Sequence, residues 1–275
     1  MIGQNINRNI IETFIDKGNC PRFIIITGVE GSGKRTFAKY ISDKLNAEFL
    51  LFDNKVESVR NVINMAYTQN KTIVYCIYGY ETMSIASKNA LLKVAEEPPT
   101  NTYIILTATN KNDVLDTLIS RAILFDMEDY TKKELEECAK ELNINTDNLD
   151  LCEVPLDIIK LQNINQEEFK AFIDNVWDKI GNASIGNSLK LTNKLKIKEE
   201  SDGYDVLLFI NAIGYKTLEY IKGMSRTQPV NNLKQCRKIL ELCYETKNNL
   251  NSKYNKQALM DKFIMDLGEL RHGII

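Results

Sequence analysis

The sequence contains a single histidine, and none of its six cysteines belongs to a CxxC pair. Structural zinc sites require cysteine and histidine ligands at short, characteristic spacings. The sequence therefore predicts no zinc site and offers no other metal-ligand cluster. Isolated cysteines in apolar patterns, among them Cys76, Cys138 and Cys243, are typical of buried, reduced thiols. His272 is interpreted as a solvated residue rather than as a catalytic base.

Long hydrophobic runs are also lacking. No segment approaches the roughly 18 consecutive apolar residues that a membrane-spanning helix needs, and the amino-terminal residues do not have the pattern of a signal peptide. We therefore expect a cytoplasmic protein without membrane contact. The composition, 44% hydrophobic and 26% charged over 275 residues, is typical of a folded protein with two or three modules.

Charge is distributed unevenly along the chain. Residues 1–125 carry 14 basic and 12 acidic side chains, residues 126–184 carry 6 and 15, and residues 185–275 carry 15 and 10. Abrupt changes of this kind favour module boundaries near 126 and 184. The net charge of −2 argues against nucleic-acid binding by bulk charge, so any DNA contact is expected to be local or shared with other subunits.

Residues 1–127 alternate short β-branched runs with helical patterns, which predicts an α/β fold with a parallel sheet between helices. Three of the runs are apolar almost throughout, as expected for strands covered on both faces. The predicted strands are 23–27, 48–52, 72–78, 102–108 and 122–127, and the predicted helices lie near 34–46, 55–69, 84–97 and 112–119.

The rest of the chain carries only helical patterns. Thr131 and Glu134 form a capping box, and Asn165 with Glu168 opens another helix, which has a continuous apolar stripe. Four longer helices are predicted at about 185–198, 204–222, 231–250 and 255–271. We therefore predict three domains: an α/β domain over 1–127, a small acidic helical domain over 128–184 and an all-α domain over 185–275.

A glycine-rich loop follows the first predicted strand. It consists of Gly28, Val29, Glu30, Gly31, Ser32, Gly33, Lys34, Arg35 and Thr36. The spacing Gly-x4-Gly-Lys between a strand and an amphipathic helix is that of a phosphate-binding loop. The glycines leave backbone N–H groups open to a phosphate, and the lysine reaches the outer phosphate oxygens. The sequence thus predicts a nucleotide-binding architecture.

The magnesium ligands of such a loop are missing. The residue after the lysine normally supplies a hydroxyl, but here it is Arg35, and Thr36 points about 100° away on the helix. The third predicted strand should end in two acids, whereas Tyr78 and Gly79 stand there, with Glu81 two residues further on. The sequence therefore argues against a magnesium site and leaves open whether ATP is bound or hydrolysed.

Residues 87–125 carry the most specific motifs. They contain NALLKVAEEPP at 89–99, TATN at 107–110 and TLISRA at 117–122. In these motifs the sequence resembles the AAA+ clamp-loader subunits of DNA replication, above all the delta-prime subunits of bacterial DNA polymerase III. The opening MIGQNI resembles the adenine-pocket segment of that family. The resemblance covers residues 1–127 in detail and the remainder in helical layout only.

The resemblance implies roles for particular residues. Ser120 and Arg121 match the family's Ser-Arg-Cys motif, whose arginine enters the ATP site of a neighbouring subunit as a trans-acting finger. Asn110 matches its first sensor. A structural alternative is that Arg121 simply pairs with an acid at the edge of the sheet. The family's second-sensor arginine is missing, since no arginine lies between Arg121 and Arg226 and the matching stretch offers Asp157.

The resemblance also implies a function and partners. We expect a component of a DNA polymerase III holoenzyme: a clamp-loader subunit with a helical lid and an oligomerising collar, acting beside gamma/tau-like and delta-like subunits. It would help to place a sliding clamp on primer–template DNA, with little or no ATP hydrolysis of its own. One alternative is a working ATPase motor of the same complex, using Glu81 or Asp53 as the acid and Thr36 to hold magnesium. Another is a stand-alone kinase for a small metabolite.

Overall fold

The computed structural model describes residues 1–68, 71–144, 148–183, 186–187, 190–196, 203–224, 230–250 and 255–274. The chain forms two compact units, Met1–Glu134 and Leu135–Ile275. The first unit contains the predicted α/β domain. The division into three domains stays a prediction.

The first unit is built on a five-stranded parallel sheet. Its strands are β1 (Phe23–Thr27), β2 (Glu48–Phe52), β3 (Ile73–Ile77), β4 (Thr102–Ala108) and β5 (Ile123–Asp126), in the spatial order β2-β3-β4-β1-β5. Every residue of β1 and β3 is buried, which explains why these two sequences are apolar on both faces. The predicted strands are confirmed to within one residue at each end.

Helices cover both faces of this sheet. They are α1 (Asn5–Asp16), α2 (Lys34–Lys44), α3 (Val56–Thr68), α4 (Ile85–Glu96) and the short α5 (Asp116–Ile119). Alternate residues of β1 enter two different cores: Ile24 packs in a cluster with Phe37 of α2, and Ile25 packs in a cluster with Leu91 of α4. Sequence analysis missed α1, which contributes the fully buried Ile11 to the first of these cores.

The second unit is mainly helical. Its helices are α6 (Lys132–Glu141, which begins in the first unit), α7 (Pro155–Gln162), α8 (Gln166–Lys179), α9 (Val206–Gly223), α10 (Val230–Leu250) and α11 (Lys256–His272). The predicted capping box is confirmed, since Thr131 N donates to Glu134 Oε2 over 2.8 Å and Glu134 N donates to Thr131 Oγ1 over 3.3 Å. The Asn165 side chain likewise caps α8, whose apolar stripe is buried as predicted.

The predicted helix over 185–198 is wrong from Lys190 onward, among the residues that the structure describes. A 3-10 turn spans Lys190–Lys194, and β6 (Leu195–Lys196) follows it and pairs in parallel with β7 (Tyr204–Asp205). The physical reason is the alternation of apolar and basic residues from Leu195 onward, which has the period of a strand. Leu195 is buried while Lys196 is exposed, as that alternation requires.

Two further expectations concern buried thiols and membranes. Cys76, Cys138 and Cys243 are buried thiols, as predicted, and burial raises the pKa of the Cys76 thiol to about 12. Among the helices in the described ranges, none has the length and apolar character needed to cross a bilayer.

Candidate phosphate-binding loop and exposed arginine

The glycine-rich loop joins the end of β1 to the start of α2. Gly28, Gly31 and Gly33 have φ angles of 150°, 82° and 88°, in the region that residues with a side chain rarely adopt. Gly33 is the residue before the first turn of α2, so the unpaired N–H groups of that turn lie at the loop. The loop therefore has the backbone conformation that anion binding requires.

Ser32 lies inside this loop. The residue is only 3% exposed, and its Oγ has no hydrogen-bond partner in the part of the chain that the structure describes. A methyl group placed on Gly28 would lie 2.9 Å from that Oγ, so the hydroxyl faces the first glycine of the loop. The Ser32 carbonyl is occupied, because the Tyr130 hydroxyl donates to it over 3.1 Å. The loop thus carries one buried hydroxyl that needs a partner.

The ammonium group of Lys34 is folded back into the loop. Its Nζ donates to the carbonyl oxygens of Gly28 and Val29, at 2.6 Å and 2.7 Å. Burial lowers the pKa of Lys34, while the nearby carboxylates of Glu81 and Glu30 act in the opposite direction. Lys34 therefore lies where a phosphate-binding lysine is expected, with loop carbonyls as its present partners.

Arg35 and Tyr78 contact each other. The Cζ of Arg35 lies 4.0 Å from the centre of the Tyr78 ring, which is within the range of a cation–π interaction. Magnesium needs oxygen ligands, and at these two positions it would meet a permanent cation and the face of an aromatic ring. Sequence analysis predicted the loss of each ligand separately but not the pairing of their replacements.

Glu81 and Asn110 lie close to the carboxyl end of β4. Glu81 Oε2 accepts a hydrogen bond from Thr109 N over 3.2 Å, and Asn110 is the next residue. The exposed side chain of Asn110 caps a short turn by accepting from Asn112 N over 2.9 Å. The negative charge of Glu81 acts to raise the pKa of Lys34, against the larger effect of burial. Of the two acids on which the ATPase-motor alternative depends, Glu81 is the one whose charge acts on Lys34.

The ATPase-motor alternative also depends on Thr36 and Asp53. Thr36 is exposed in the first turn of α2. Asp53 follows β2 and accepts a hydrogen bond from Lys55 N over 3.2 Å. A hydrogen bond from Ser58 lowers the pKa of Asp53, with smaller effects from Lys55. Asp53 is thus engaged by residues next to it in sequence.

The amino-terminal segment is tied to the chain that follows β5. The Gln4 amide donates to Glu128 O over 2.7 Å and accepts from Glu128 N over 2.8 Å. The Glu128 carboxylate in turn accepts from Ile6 N and Asn7 N at the start of α1. Segment 1–6 therefore lies beside the segment that supplies Tyr130 to the phosphate loop.

Arg121 lies on the surface, directly after α5 and Ser120. Its Nη2 forms an ion pair with Glu96 Oε1 at 2.8 Å, and its Nη1 donates to Thr117 O at 2.7 Å and to Ser120 Oγ at 3.2 Å. The Arg121 side chain is 36% exposed and that of Glu96 is 54% exposed. An ion pair with an acid, the structural alternative, is therefore present, but it lies in solvent where its partners can exchange.

Asp157, which the family resemblance places at the missing second sensor, is a helix cap. It is 2% exposed, and its Oδ2 accepts from Glu153 N and Val154 N at the start of α7. Burial raises the pKa of Asp157, and the two backbone hydrogen bonds partly offset that rise. The residue thus stabilises the second unit itself.

Comparison with known proteins finds similarity to subunits of DNA polymerase III. The model of the family "DNA polymerase III, delta subunit" matches residues 50–131. The gamma subunit of DNA polymerase III from Buchnera aphidicola subsp. Acyrthosiphon pisum is 24% identical over 270 residues, which covers 82% of this chain and 75% of the relative. The delta' subunit from Buchnera aphidicola subsp. Baizongia pistaciae is 34% identical over 93 residues, 34% of this chain and 28% of the relative.

Among solved structures, the RuvB Holliday junction branch migration motor of Thermotoga maritima aligns with a TM-score of 0.50 at 16% identity, covering 94% of this chain and 88% of RuvB. At that identity the likeness shows the fold alone. The predicted fold, an α/β domain with a parallel sheet followed by helices, is confirmed. The chain has a parallel α/β fold and is similar to the delta-subunit family and to gamma and delta' subunits of DNA polymerase III.

Proposed function

We propose that this chain is a clamp-loader subunit that helps to load a sliding clamp onto primed DNA, with little or no ATP hydrolysis of its own. In this proposal Arg121 and Ser120 complete the ATP site of a neighbouring subunit. The partners are gamma/tau-like and delta-like subunits, the clamp, and primer–template DNA reached through the complex. Support comes from the similarity to DNA polymerase III gamma and delta' subunits.

The observation that carries the proposal is the contact between Arg35 and Tyr78. The loop fits phosphate groups, because Gly28, Gly31 and Gly33 hold it in a positive-φ conformation and the buried Ser32 hydroxyl has no partner among the described residues. It does not fit magnesium, since a guanidinium and an aromatic ring occupy the positions of the two ligands. Without the metal, phosphoryl transfer loses the charge neutralisation on which it depends.

The exposed position of Arg121 supports its proposed role in trans. A planar guanidinium offers several fixed donors to the charge that develops on a transferred phosphoryl group. Its present partners are an exposed carboxylate and two oxygens of its own turn. These contacts orient the side chain at the surface without burying it.

The motor alternative depends on Glu81, which lies near Lys34. It predicts that the purified chain turns over ATP in magnesium and that Glu81→Gln abolishes this turnover. We expect instead that the wild-type chain shows no turnover above the protein-free rate and that Glu81→Gln changes nothing. Steady-state phosphate release measures both. Turnover that is lost in Glu81→Gln would replace our proposal with the motor.

A further inference from the structure

We propose that the loop binds the phosphates of a nucleoside triphosphate without a divalent cation, with Arg35 as the permanent positive charge in place of the metal. The inference rests on the proposed function, in which this site keeps phosphate-binding geometry without hydrolysis. It adds the ligand form: free ATP rather than its magnesium complex.

The shape of the loop depends on its glycines. A Cβ on Gly28 would lie 2.8 Å from Met127 Cβ, and a Cβ on Gly33 would lie 3.0 Å from the Tyr130 hydroxyl. Both glycines adopt positive φ angles, Gly28 directly after β1 and Gly33 directly before α2, an eleven-residue helix. The loop therefore keeps a backbone conformation that residues with a side chain rarely adopt.

The second step is the orphaned hydroxyl of Ser32. Ser32 is 3% exposed and its hydroxyl faces Gly28, the first glycine of the loop, yet this hydroxyl has no hydrogen-bond partner among the described residues. Buried hydroxyl groups are nearly always paired. A phosphate oxygen held by the loop would give Ser32 an acceptor. This observation is independent of the helix terminus and points to the same ligand.

The third step is the balance of charge around the loop. Lys34 and Arg35 are consecutive cations, and the acids whose charges act on Lys34 are Glu81 and Glu30. In a metal-dependent site, such acids would face a divalent ion beside the phosphates. Here the second cation is covalently part of the chain, and an arginine stays protonated at every physiological pH. Its contribution therefore does not vary with the magnesium concentration.

The guanidinium group of Arg35 is held by Tyr78. Tyr78 takes one face of the guanidinium at 4.0 Å, and stacking on a ring leaves the N–H groups at the edge of the guanidinium free to bind oxygen. Arg35 itself is exposed, so a ligand can reach it. Bidentate hydrogen bonds between arginine and phosphate are among the strongest that proteins form.

The test measures ATP affinity by calorimetry with the purified full chain, once in excess EDTA and once in excess magnesium. We expect the two Kd values to agree within about threefold, because the permanent charge of Arg35 does not depend on the metal. Arg35→Thr restores the usual hydroxyl and should weaken binding in EDTA by at least about tenfold. Tyr78→Leu removes the stacking face and should act in the same direction, whereas Tyr78→Phe retains it.

The matched control is Arg60→Thr, which removes an exposed arginine from α3. It should leave both Kd values unchanged. Wild-type affinity that falls about tenfold or more in EDTA would overturn the inference, and so would the absence of ATP binding in both buffers. Neither result bears on Arg121, whose proposed role is measured by hydrolysis at a neighbouring subunit.

Discussion

Replacing Arg121 by alanine should sharply lower ATP consumption by a clamp loader reconstituted from this chain and its sister subunits. An arginine finger contributes about 10³- to 10⁵-fold to the rate at the site that it serves. Total ATP consumption by the complex should therefore fall by the amount that this one site contributes. The measurement is steady-state phosphate release by the complex in the presence of clamp and primed DNA.

The ion pair with Glu96 does not oppose this role. Exposed ion pairs contribute roughly 0.2–1 kcal/mol, and the Arg121–Glu96 pair is of this kind. A finger that accelerates hydrolysis 10³- to 10⁵-fold stabilises the transition state by about 4–7 kcal/mol. Because the interaction with the transition state is the larger of the two, Arg121 can leave Glu96 for a phosphate in the neighbouring subunit.

The matched variants are Arg121→Lys and Arg60→Ala. Lysine keeps the charge of Arg121 but lacks the planar fork, so it should restore only part of the activity. Arg60 is an exposed arginine elsewhere on the first unit and should be replaceable without effect. If Arg121→Ala assembled normally and consumed ATP at the wild-type rate, the finger would have to be abandoned.

Gly28→Ala should strongly destabilise the first unit. The residue has a φ angle of 150°, and a Cβ there would come within 2.8 Å of Met127 Cβ and 2.9 Å of Ser32 Oγ. Backbone strain and steric overlap together should lower the free energy of unfolding by about 2–4 kcal/mol. Chemical denaturation followed by circular dichroism measures the change.

Gly214→Ala is the control for Gly28→Ala and should have the opposite sign. Gly214 lies inside α9, and a Cβ placed there meets nothing within 4 Å. Alanine should therefore stabilise the second unit by roughly 0.5–1 kcal/mol through its higher helix propensity. Equal and small effects at both positions would show that the loop is not held in the conformation described.

The sheet was predictable because burial on both faces forces continuous apolar runs, as in Phe23–Thr27 and Ile73–Ile77. Helix α1 was missed although Ile11 and Ile15 have helical spacing, because segment 1–6 was interpreted only as a nucleotide contact. The strand at Leu195 was missed because two residues of alternation are a weak signal. In both cases the sequence contained the pattern of the observed helix or strand, but a different interpretation of those residues was favoured.

Some features of the site can be predicted from the sequence, and others cannot. The loss of magnesium ligands at positions 35 and 78 follows from local sequence, but the contact between Arg35 and Tyr78 requires strands and helices to be assembled first. The ion pair of Arg121 with Glu96 likewise joins residues from two elements. Asp157 shows the reverse, because a residue interpreted as a lost sensor is a buried helix cap. Spacing locates motifs, whereas contacts between elements decide what their residues do.

The most direct test of the central claim compares Lys34→Ala with Arg121→Ala, each introduced into this chain alone within the reconstituted complex. Lys34 belongs to the chain's own loop, and Arg121 is proposed to act next door. Our account predicts that Lys34→Ala leaves ATP consumption by the assembled complex unchanged while Arg121→Ala lowers it. A fall with Lys34→Ala and none with Arg121→Ala would contradict the account, because it would place the working site in this chain.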